Sequence, residues 1–356
     1  MSDGAILVTG ATGFIGLQLI RLLLRGSRPI YVLARGNARG TAAIQKLAQA
    51  KALRALWGDI TQPSFGLPAD ELASLSSEVT CVIHTAGAYH LSLSRDEAYA
   101  CNVAGLRNLL KQAQSWPLAE FHHVSSIVAA GERGDDVLEA ALSRPQRFRN
   151  PYEESKWMAE STLLDWDRVP TRFYRLGIVI GDSRTGVTQK FDGPYPAFTV
   201  MRRHVPFVIP RSGDTPFPLV TVDLAVEALA SGVEDPPRKL EFLHVVDTEP
   251  PSVREFAEAM MMRIAGHKTI VSIPRHAFLK LSRIPAFVKL FGVESAACAY
   301  MCSRTTYSVS KFVEFCRRMR IRSDRVKDAY DALASYYAVA HGRVFRPQDR
   351  FIDVCQ

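Results

Sequence analysis

The chain has 356 residues, of which 47% are hydrophobic and 22% are charged. This composition is typical of a globular protein with an ordinary core and excludes a long disordered chain. The formal net charge of +8 indicates a basic surface that would attract an anionic ligand, such as a phosphorylated cofactor or an acidic carrier. No nucleic-acid-binding motif accompanies the basic residues, so we expect no nucleic-acid partner.

Cysteine usage and hydropathy bear on the compartment. The six cysteines form no CxxC pair and no cluster with zinc spacing, so we expect no metal site and a reducing, cytoplasmic location. The first residues lack a signal-peptide pattern, and no long uncharged apolar window indicates a transmembrane span. The apolar and basic segment 274–293 predicts amphipathic helices packed on the body, with contact to a membrane surface as the alternative.

Apolar strands alternate with helical segments through the first half of the chain. Strands are predicted at 5–9, 30–34, 53–57, 79–84, 120–125 and 171–180. Helices are predicted at 17–25, 42–50, 98–114 and from Pro151 onward. This alternation predicts an α/β fold with a Rossmann-type, doubly wound parallel sheet.

After Gly181 the alternation ends and Pro and Gly become frequent. We therefore divide the chain into a dinucleotide-binding Rossmann domain, residues 1–182, and a smaller substrate-binding region, residues 183–356. The second region should contain strands that return to the sheet and C-terminal helices. Its apolar segments 191–217 and 274–293 are expected to line a pocket, because ligands of open α/β sheets lie at the carboxyl edge of the strands.

The turn between the first strand and the first helix carries a glycine pattern. It reads Gly10-Ala11-Thr12-Gly13-Phe14-Ile15-Gly16. Gly10 permits a tight turn, Gly13 lets the backbone approach a pyrophosphate, and Gly16 lets the helix pack near the strand. The helix N-terminus would face the phosphates with unpaired N–H groups. Because the pattern lies between a strand and a helix, it favours dinucleotide binding over a plain turn, with Thr12, Phe14 and Ile15 among the contacts.

The residue after the second strand predicts the choice of cofactor. An acidic residue is usual there when the ribose 2′-hydroxyl is bound, but this chain has Arg35, with Arg39 nearby. A guanidinium suits a 2′-phosphate, so NADP(H) is preferred and NAD(H) is the alternative.

Two further strand ends should contact the cofactor. Asp59, followed by Ile60, could accept a hydrogen bond from the adenine amino group or serve as a turn residue. The small residues Thr85, Ala86 and Gly87 end the fourth strand and would let the cofactor lie against the sheet.

The catalytic candidates are Tyr152 and Lys156, which stand at i and i+4 on a predicted helix and therefore share one face. Reduction of a carbonyl places negative charge on its oxygen, and a phenol can donate a proton there. A nearby ammonium would lower the tyrosine pKa from about 10. A serine from the Ser125-Ser126 strand end could polarise the substrate oxygen.

Taken in order, these segments resemble the extended short-chain dehydrogenase/reductase family, whose members include NAD-dependent epimerases and dehydratases. The matching segments are 9–16, Asp59, 102–110, Ser125-Ser126 and the Tyr152/Lys156 pair. The resemblance implies that Tyr152 is the acid/base, Lys156 its partner, Ser126 the donor to the substrate oxygen, and Asn102 a structural or proton-relay residue. Ser126 is preferred because it lies five residues before Gly131, as in the family's S-x-x-x-Y-G pattern. The resemblance also implies a homodimer.

Three phrases resemble the fatty-acyl and carrier-bound thioester reductases of that family, namely 58–67, 155–160 and 181–186. They imply NADPH-dependent reduction of a lipid-like or acyl carbonyl, with a CoA or carrier thioester as a candidate substrate. The alternatives are a sugar-nucleotide epimerase or dehydratase, a sterol-type 3-hydroxy dehydrogenase, and a regulatory protein that binds the cofactor without catalysis. Arg35 argues against the first alternative, and the Ser126, Tyr152 and Lys156 set argues against the last.

Overall fold

The computed structural model describes residues 4–36, 38–49, 53–144, 147–203, 206–211, 215–291, 293 and 295–341. The strands are β1 (Ala5–Thr9), β2 (Ile30–Ala34), β3 (Leu53–Trp57), β4 (Val79–His84), β5 (Glu120–Ser126), β6 (Asp136–Val137), β7 (Thr171–Leu176), β8 (Ile178–Ile180), β9 (Phe207–Pro210), β10 (Leu219–Thr221), β11 (Glu241–Val245), β12 (Ile270–Ile273) and β13 (Thr306–Tyr307). The helices are α1 (Phe14–Leu23), α2 (Ala38–Ala48), α3 (Ala69–Glu78), α4 (Arg95–Tyr99), α5 (Gly105–Ala113), α6 (Pro151–Trp166), α7 (Tyr195–Met201), α8 (Val222–Glu234), α9 (Val253–Ala265), α10 (Arg275–Leu281), α11 (Pro285–Phe291), α12 (Ser295–Met301), α13 (Ser310–Met319) and α14 (Tyr330–His341).

The described residues form a seven-stranded sheet in the order β11-β7-β5-β4-β1-β2-β3. Every neighbouring pair in it is parallel. Residues of α1, α2, α8 and α13 share a hydrophobic core with one face of the sheet, and residues of α3, α5 and α6 share one with the other face. The apolar strands are thus buried on both faces, as parallel strands require. The predicted Rossmann-type fold is confirmed.

One predicted strand and one predicted helix are divided in the structure. The strand predicted at 171–180 breaks at Gly177, and β8 leaves the sheet to pair with β10. A Cβ at Gly177 would lie 2.3 Å from the carbonyl oxygen of Pro218, so the break depends on a close backbone approach. The helix predicted at 98–114 begins earlier, at Arg95, and contains a π-helical turn over Ala100–Ala104.

Two other predicted helices begin several residues earlier than their hydrophobic periodicity indicates. The first starts at Phe14, directly after the glycine turn, and the second at Ala38.

Most of the later elements build a second hydrophobic core, which includes residues of α7, α9, α12 and α14. Phe278 of α10 and Phe291 of α11 are buried in it, so the described residues of segment 274–293 pack as helices on the body. Strand β11 returns to the main sheet beside β7, and the domain boundary at residue 182 stays a prediction. Of the described helices, none combines the length and apolarity needed to cross a bilayer.

Candidate active site

The glycine turn joins β1 to α1 at the carboxyl edge of the sheet. Gly10 has a φ of +73°, and a Cβ there would lie 2.5 Å from the backbone nitrogen of Ala86. A Cβ at Gly16 would lie 2.4 Å from the carbonyl oxygen of Gly10. Gly13 is the N-cap of α1 and no side chain caps that helix, so its first N–H groups can receive an anion. These residues fit a dinucleotide pyrophosphate.

The end of β4 lies against this turn. The Thr85 hydroxyl donates to the carbonyl oxygen of Thr9 at 2.7 Å, and Ala86 contacts Gly10 as described above. Gly87 lies farther along, where a Cβ would be 3.2 Å from Lys156 Nζ and 3.0 Å from Asn102 Oδ1. The structure therefore brings the predicted small residues of β4 between the glycine turn and the Tyr152/Lys156 helix.

Arg35 follows β2, whose Leu33 pairs with Thr9 of β1. Its side chain is exposed, and no carboxylate of the described residues forms an ion pair with it. Its positive charge opposes the burial that raises the pKa of the Cys101 thiol. Arg35 therefore offers an available guanidinium beside the glycine turn, whereas the side chain of Arg39 lies outside the described residues.

Thr12 and the segment after β3 support the turn in different ways. A Cβ at Gly40 would lie 2.2 Å from Thr12 Cβ, so α2 packs closely against the turn. Asp59 Oδ1 accepts hydrogen bonds from the backbone N–H and the hydroxyl of Thr61, both at 2.8 Å. Ile60 is buried. The contacts within the chain therefore give Asp59 a turn-forming role and Ile60 a packing role, and their contact with a cofactor stays a prediction.

Tyr152 and Lys156 lie one turn apart on α6 and both are buried. The helix begins at Pro151, and the Asn150 side chain caps it by accepting a hydrogen bond from the backbone N–H of Glu153 at 3.0 Å. Lys156 Nζ donates to the carbonyl oxygen of Val124 in β5 at 3.2 Å. The ammonium therefore points toward the carboxyl end of β5.

Ser126 ends β5 and caps the short 3₁₀ turn that follows it. Its hydroxyl donates to the carbonyl oxygen of Leu176 at 3.3 Å, and it lies near enough to the Tyr152 phenol to lower the pKa of that group. The structure thus brings Ser126 and Tyr152 together as a pair of hydroxyl groups.

Burial dominates the electrostatics of the pair on α6. It raises the pKa of Tyr152 to about 12, against the hydrogen bond with Ser126. It lowers the pKa of Lys156 to about 8, against the nearby Cys101 and Glu160. The pKa of Tyr152 is thus raised and not lowered as the sequence predicts, because burial outweighs the other contributions.

Asn102 lies in the π-helical turn and is buried. Its Nδ2 donates to the carbonyl oxygen of Ala88 at 2.9 Å and to the Ser155 hydroxyl at 2.8 Å. Its Oδ1 accepts from the backbone N–H of Ala88 at 2.7 Å. With both ends of the amide engaged, Asn102 holds the segment after β4 against α6, which favours the structural role over the relay.

A buried ion pair lies behind the site, and the sequence did not predict it. Arg175 of β7 and Glu160 of α6 approach to 2.7 Å and are both almost fully buried. Ser125 donates to Glu160 at 2.5 Å, so the second serine of the pair belongs to this network. An arginine inside an apolar strand was the available signal, because a buried charge requires a partner.

Among the described residues, one trio has the composition of a metal site, namely Cys81, Glu120 and His122. His122 Nε2 lies 3.0 Å from Glu120, and Arg28 lies 3.4 Å from the same carboxylate. Burial raises the pKa of the Cys81 thiol well above its ordinary value. The three groups satisfy one another beside an arginine, and that arrangement disfavours a cation.

A cleft of about 540 Å³ of empty space, its open mouth included, is lined by Ile127 and Val128, the two residues that follow Ser126. The described residues that line it come from the 3₁₀ turn, the approach to α6, β8, the segment before β10, α9, and the region around α12 and β13. Of the described residues in the predicted segment 191–217, those that line the cleft are Thr215, Pro216 and Phe217. No described residue of 274–293 lines this cleft; Phe278, Phe287 and Phe291 of that segment pack in the second core instead.

The comparisons with known proteins identify the family of the chain. Residues 8–229 match the family model described as "Male sterility protein", an NAD-binding family. The chain is an NAD(P)-dependent oxidoreductase of the extended short-chain dehydrogenase/reductase class. Within that class it belongs to the NAD-binding male sterility protein family, whose model spans more than half of the chain. The predicted family and enzyme class are confirmed.

Curated relatives are much longer proteins. A linear gramicidin synthase of Brevibacillus parabrevis is 33% identical over 207 residues, which cover 53% of this chain and 4% of that protein. The L-2-aminoadipate reductase of Penicillium chrysogenum is 29% identical in its large subunit over 225 residues, covering 54% of this chain and 16% of that protein. The chain therefore corresponds to a small part of each.

Solved structures share the fold. The terminal R domain from the myxalamid PKS-NRPS biosynthetic pathway matches with a TM-score of 0.79 and 23% identity over 97% of this chain and 92% of that one. UDP-glucuronic acid 4-epimerase from Bacillus cereus, in complex with NAD, matches with a TM-score of 0.64 and 18% identity over 94% and 97%.

Proposed function

We propose that the protein is an NADPH-dependent reductase of acyl thioesters presented on a carrier protein or on CoA. The observation that carries the proposal is the proximity of the Ser126 and Tyr152 hydroxyl groups, with Lys156 on the same helix face, between the glycine turn and an apolar cleft. The similarity to peptide-synthetase relatives and a terminal R domain supports a carrier-bound substrate. The available guanidinium of Arg35 supports NADPH.

The mechanism that we propose assigns one task to each side chain. Bound NADPH supplies the hydride. Ser126 and Tyr152 hold the carbonyl oxygen of the thioester, and Tyr152 donates a proton to it as the carbon is reduced. The proton then returns to Tyr152 while the C–S bond breaks and its electron pair leaves on sulfur, which takes a proton from water. The products are an aldehyde and a free thiol.

Lys156 and Asn102 support this chemistry. Below its pKa of about 8, Lys156 carries a positive charge on the face of α6 where negative charge develops on oxygen, which stabilises the transition state. Asn102 fixes the segment after β4 along which the nicotinamide end of the cofactor would lie.

The test combines NADPH with hexanoyl-pantetheine and follows loss of NADPH, release of thiol and a trapped aldehyde. We expect one thiol for each aldehyde, with no turnover when NADPH is omitted. NAD that copurifies with the protein, together with no thiol release, would instead favour the sugar-nucleotide epimerase alternative.

A further inference from the structure

The cleft beside Ser126 is positioned to receive the group attached to a substrate carbonyl. Ile127 and Val128 line it and follow Ser126 directly. Ile178 also lines it and lies two residues after Leu176, whose carbonyl oxygen accepts the Ser126 hydrogen bond. An acyl chain whose carbonyl is held by Ser126 would therefore enter this cleft.

Apolar surfaces dominate the remaining walls. Phe217 and Pro218 come from the segment before β10, and Met301 and Tyr307 from the region of α12 and β13. Burial raises the pKa of the Tyr307 phenol above its ordinary value, so this group stays neutral. Such walls favour hydrocarbon through the hydrophobic effect.

Arg149 is the single charged side chain among the described lining residues, and its charge is already neutralised. Its Nη1 lies 3.0 Å from Oε1 of Glu153, which is fully buried. The backbone N–H of Arg149 donates to Oε2 at 2.7 Å, and the Tyr300 hydroxyl donates to Oε1 at 2.8 Å. The guanidinium carbon also lies 5.3 Å from the centre of the Tyr300 ring. The described lining of the cleft therefore presents no unpaired charge to a substrate.

We propose that this cleft selects uncharged, apolar acyl groups and rejects acyl chains that end in a carboxylate or an ammonium. The proposal rests on the function proposed above and names its substrate class. Burying an unpaired charge in an apolar cleft is costly, and Glu153 leaves Arg149 unable to offset that cost for an acid. Family membership does not imply this selectivity, since L-2-aminoadipate reductase is named for a charged substrate.

The first experiment measures binding without turnover. Pantetheine thioethers cannot be reduced in this way, so the ligands are pantetheine S-alkylated with a hexyl chain and chains of equal length ending in a carboxylate or an ammonium. Calorimetry with saturating NADP⁺ should show the hexyl ligand binding about 10- to 100-fold more tightly than either charged ligand. Equal or tighter binding of a charged ligand would overturn the proposal.

A variant tests the role of the ion pair. Glu153→Gln removes the negative charge from Arg149, so the carboxylate ligand should gain about 10-fold in affinity relative to the hexyl ligand. Glu154→Gln is the matched control, because Glu154 pairs instead with the exposed Arg95 at 3.0 Å. If Glu153→Gln does not fold, the ligand series on the unmodified chain decides the proposal.

The experiments distinguish an error in the selectivity from an error in the proposed function. Preference for the hexyl ligand without reduction of any thioester would contradict the function and keep the selectivity. Reduction of hexanoyl-pantetheine and of its carboxylate-ended analogue with equal kcat/KM would keep the function and overturn the selectivity.

Discussion

Tyr152 is the side chain on which the proposed chemistry depends, since its phenol is the proposed proton donor and lies near Ser126. Tyr152→Phe keeps the ring and its packing and removes the hydroxyl alone. We expect kcat/KM for an acyl thioester to fall by about 10²- to 10⁴-fold, with the dissociation constant for NADPH unchanged. Steady-state kinetics and fluorescence titration of NADPH measure the two quantities.

The control for this variant is Tyr336→Phe. Tyr336 donates a hydrogen bond to the carbonyl oxygen of Thr188 in the second half of the chain, outside the proposed site, so kcat/KM should stay near the value of the unmodified protein. A Tyr152→Phe enzyme with a tenth or more of the original activity would refute the assignment of the acid.

The predicted preference for NADPH rests on Arg35. Arg35→Asp replaces an exposed guanidinium beside the glycine turn with a carboxylate that would repel a 2′-phosphate. A charge-assisted hydrogen bond contributes about 1.5–3 kcal/mol, so NADPH affinity should fall by at least about 10-fold while NADH affinity changes little. Arg25→Asp, at an exposed position after α1, is the control. Equal losses for NADPH and NADH would contradict the phosphate-binding role.

The parts of the site that the sequence predicts are those whose residues lie close together along the chain. The glycine turn and the Tyr152/Lys156 pair each occupy a single short segment, so their spacing alone indicates their geometry. The Glu153–Tyr300 hydrogen bond joins positions 147 residues apart, and no local sequence pattern indicates it. Arg149 contacts the same two residues, and its position in the cleft could not be predicted from local sequence either.

The packing of α6 against β7 shows that the same limit of sequence-based prediction holds for whole elements. Strand patterning predicts β7 but not its end at Gly177, because that end depends on the approach of Pro218 from a segment more than 40 positions later. Helix patterning predicts α6, yet the partner of Glu160 is fixed only when β7 lies beside the helix. Local periodicity therefore indicates which elements form, and long-range contacts decide where they stop.

Glu160 affects both the stability of the packing between α6 and β7 and the pKa of Lys156 on α6. Glu160→Gln leaves the charge of Arg175 buried without a counterion, so the free energy of unfolding should fall by about 3–5 kcal/mol. Glu160 also raises the pKa of Lys156, so the variant should lower that pKa below about 8. The fall of kcat/KM on the alkaline side would then begin at lower pH. Urea unfolding and a pH profile measure the two effects.

The double variant Glu160→Gln/Arg175→Met separates these effects. It removes both buried charges, so most of the lost stability should return, while the alkaline limb of the profile should stay displaced. An alkaline limb at its original pH in the folded double variant would show that Glu160 acts on stability alone.

At the scale of the whole molecule, the sheet buries several neutral histidines. They are His84, His122, His123 and His244. Burial lowers the pKa of each below the ordinary 6.5, to about 3 for His84 and His244. The unfolded chain therefore binds protons more readily below pH 6.5. The stability that these groups confer is present above that pH and is lost as the pH falls toward 3.

This linkage predicts acid sensitivity of the fold. Between pH 7 and pH 5, His84 and His244 should each remove about 2 kcal/mol from the free energy of unfolding. His123 adds to the loss, because its ring is stacked on His84 at 5.4 Å between centroids and its pKa is lowered well below the ordinary value. Neither ring nitrogen of His123 has a hydrogen-bond partner among the described residues.

His123→Phe should therefore flatten the dependence of stability on pH. The phenyl ring keeps an aromatic contact with His84 and has neither an unpaired nitrogen nor a proton to bind. Its larger volume can shift stability by a similar amount at every pH, so the slope between pH 7 and pH 5 is the quantity to compare. Urea unfolding across that range measures it, with the exposed His276→Gln as the control. A slope as steep as that of the unmodified protein would mean that His123 does not contribute to the acid sensitivity of the fold.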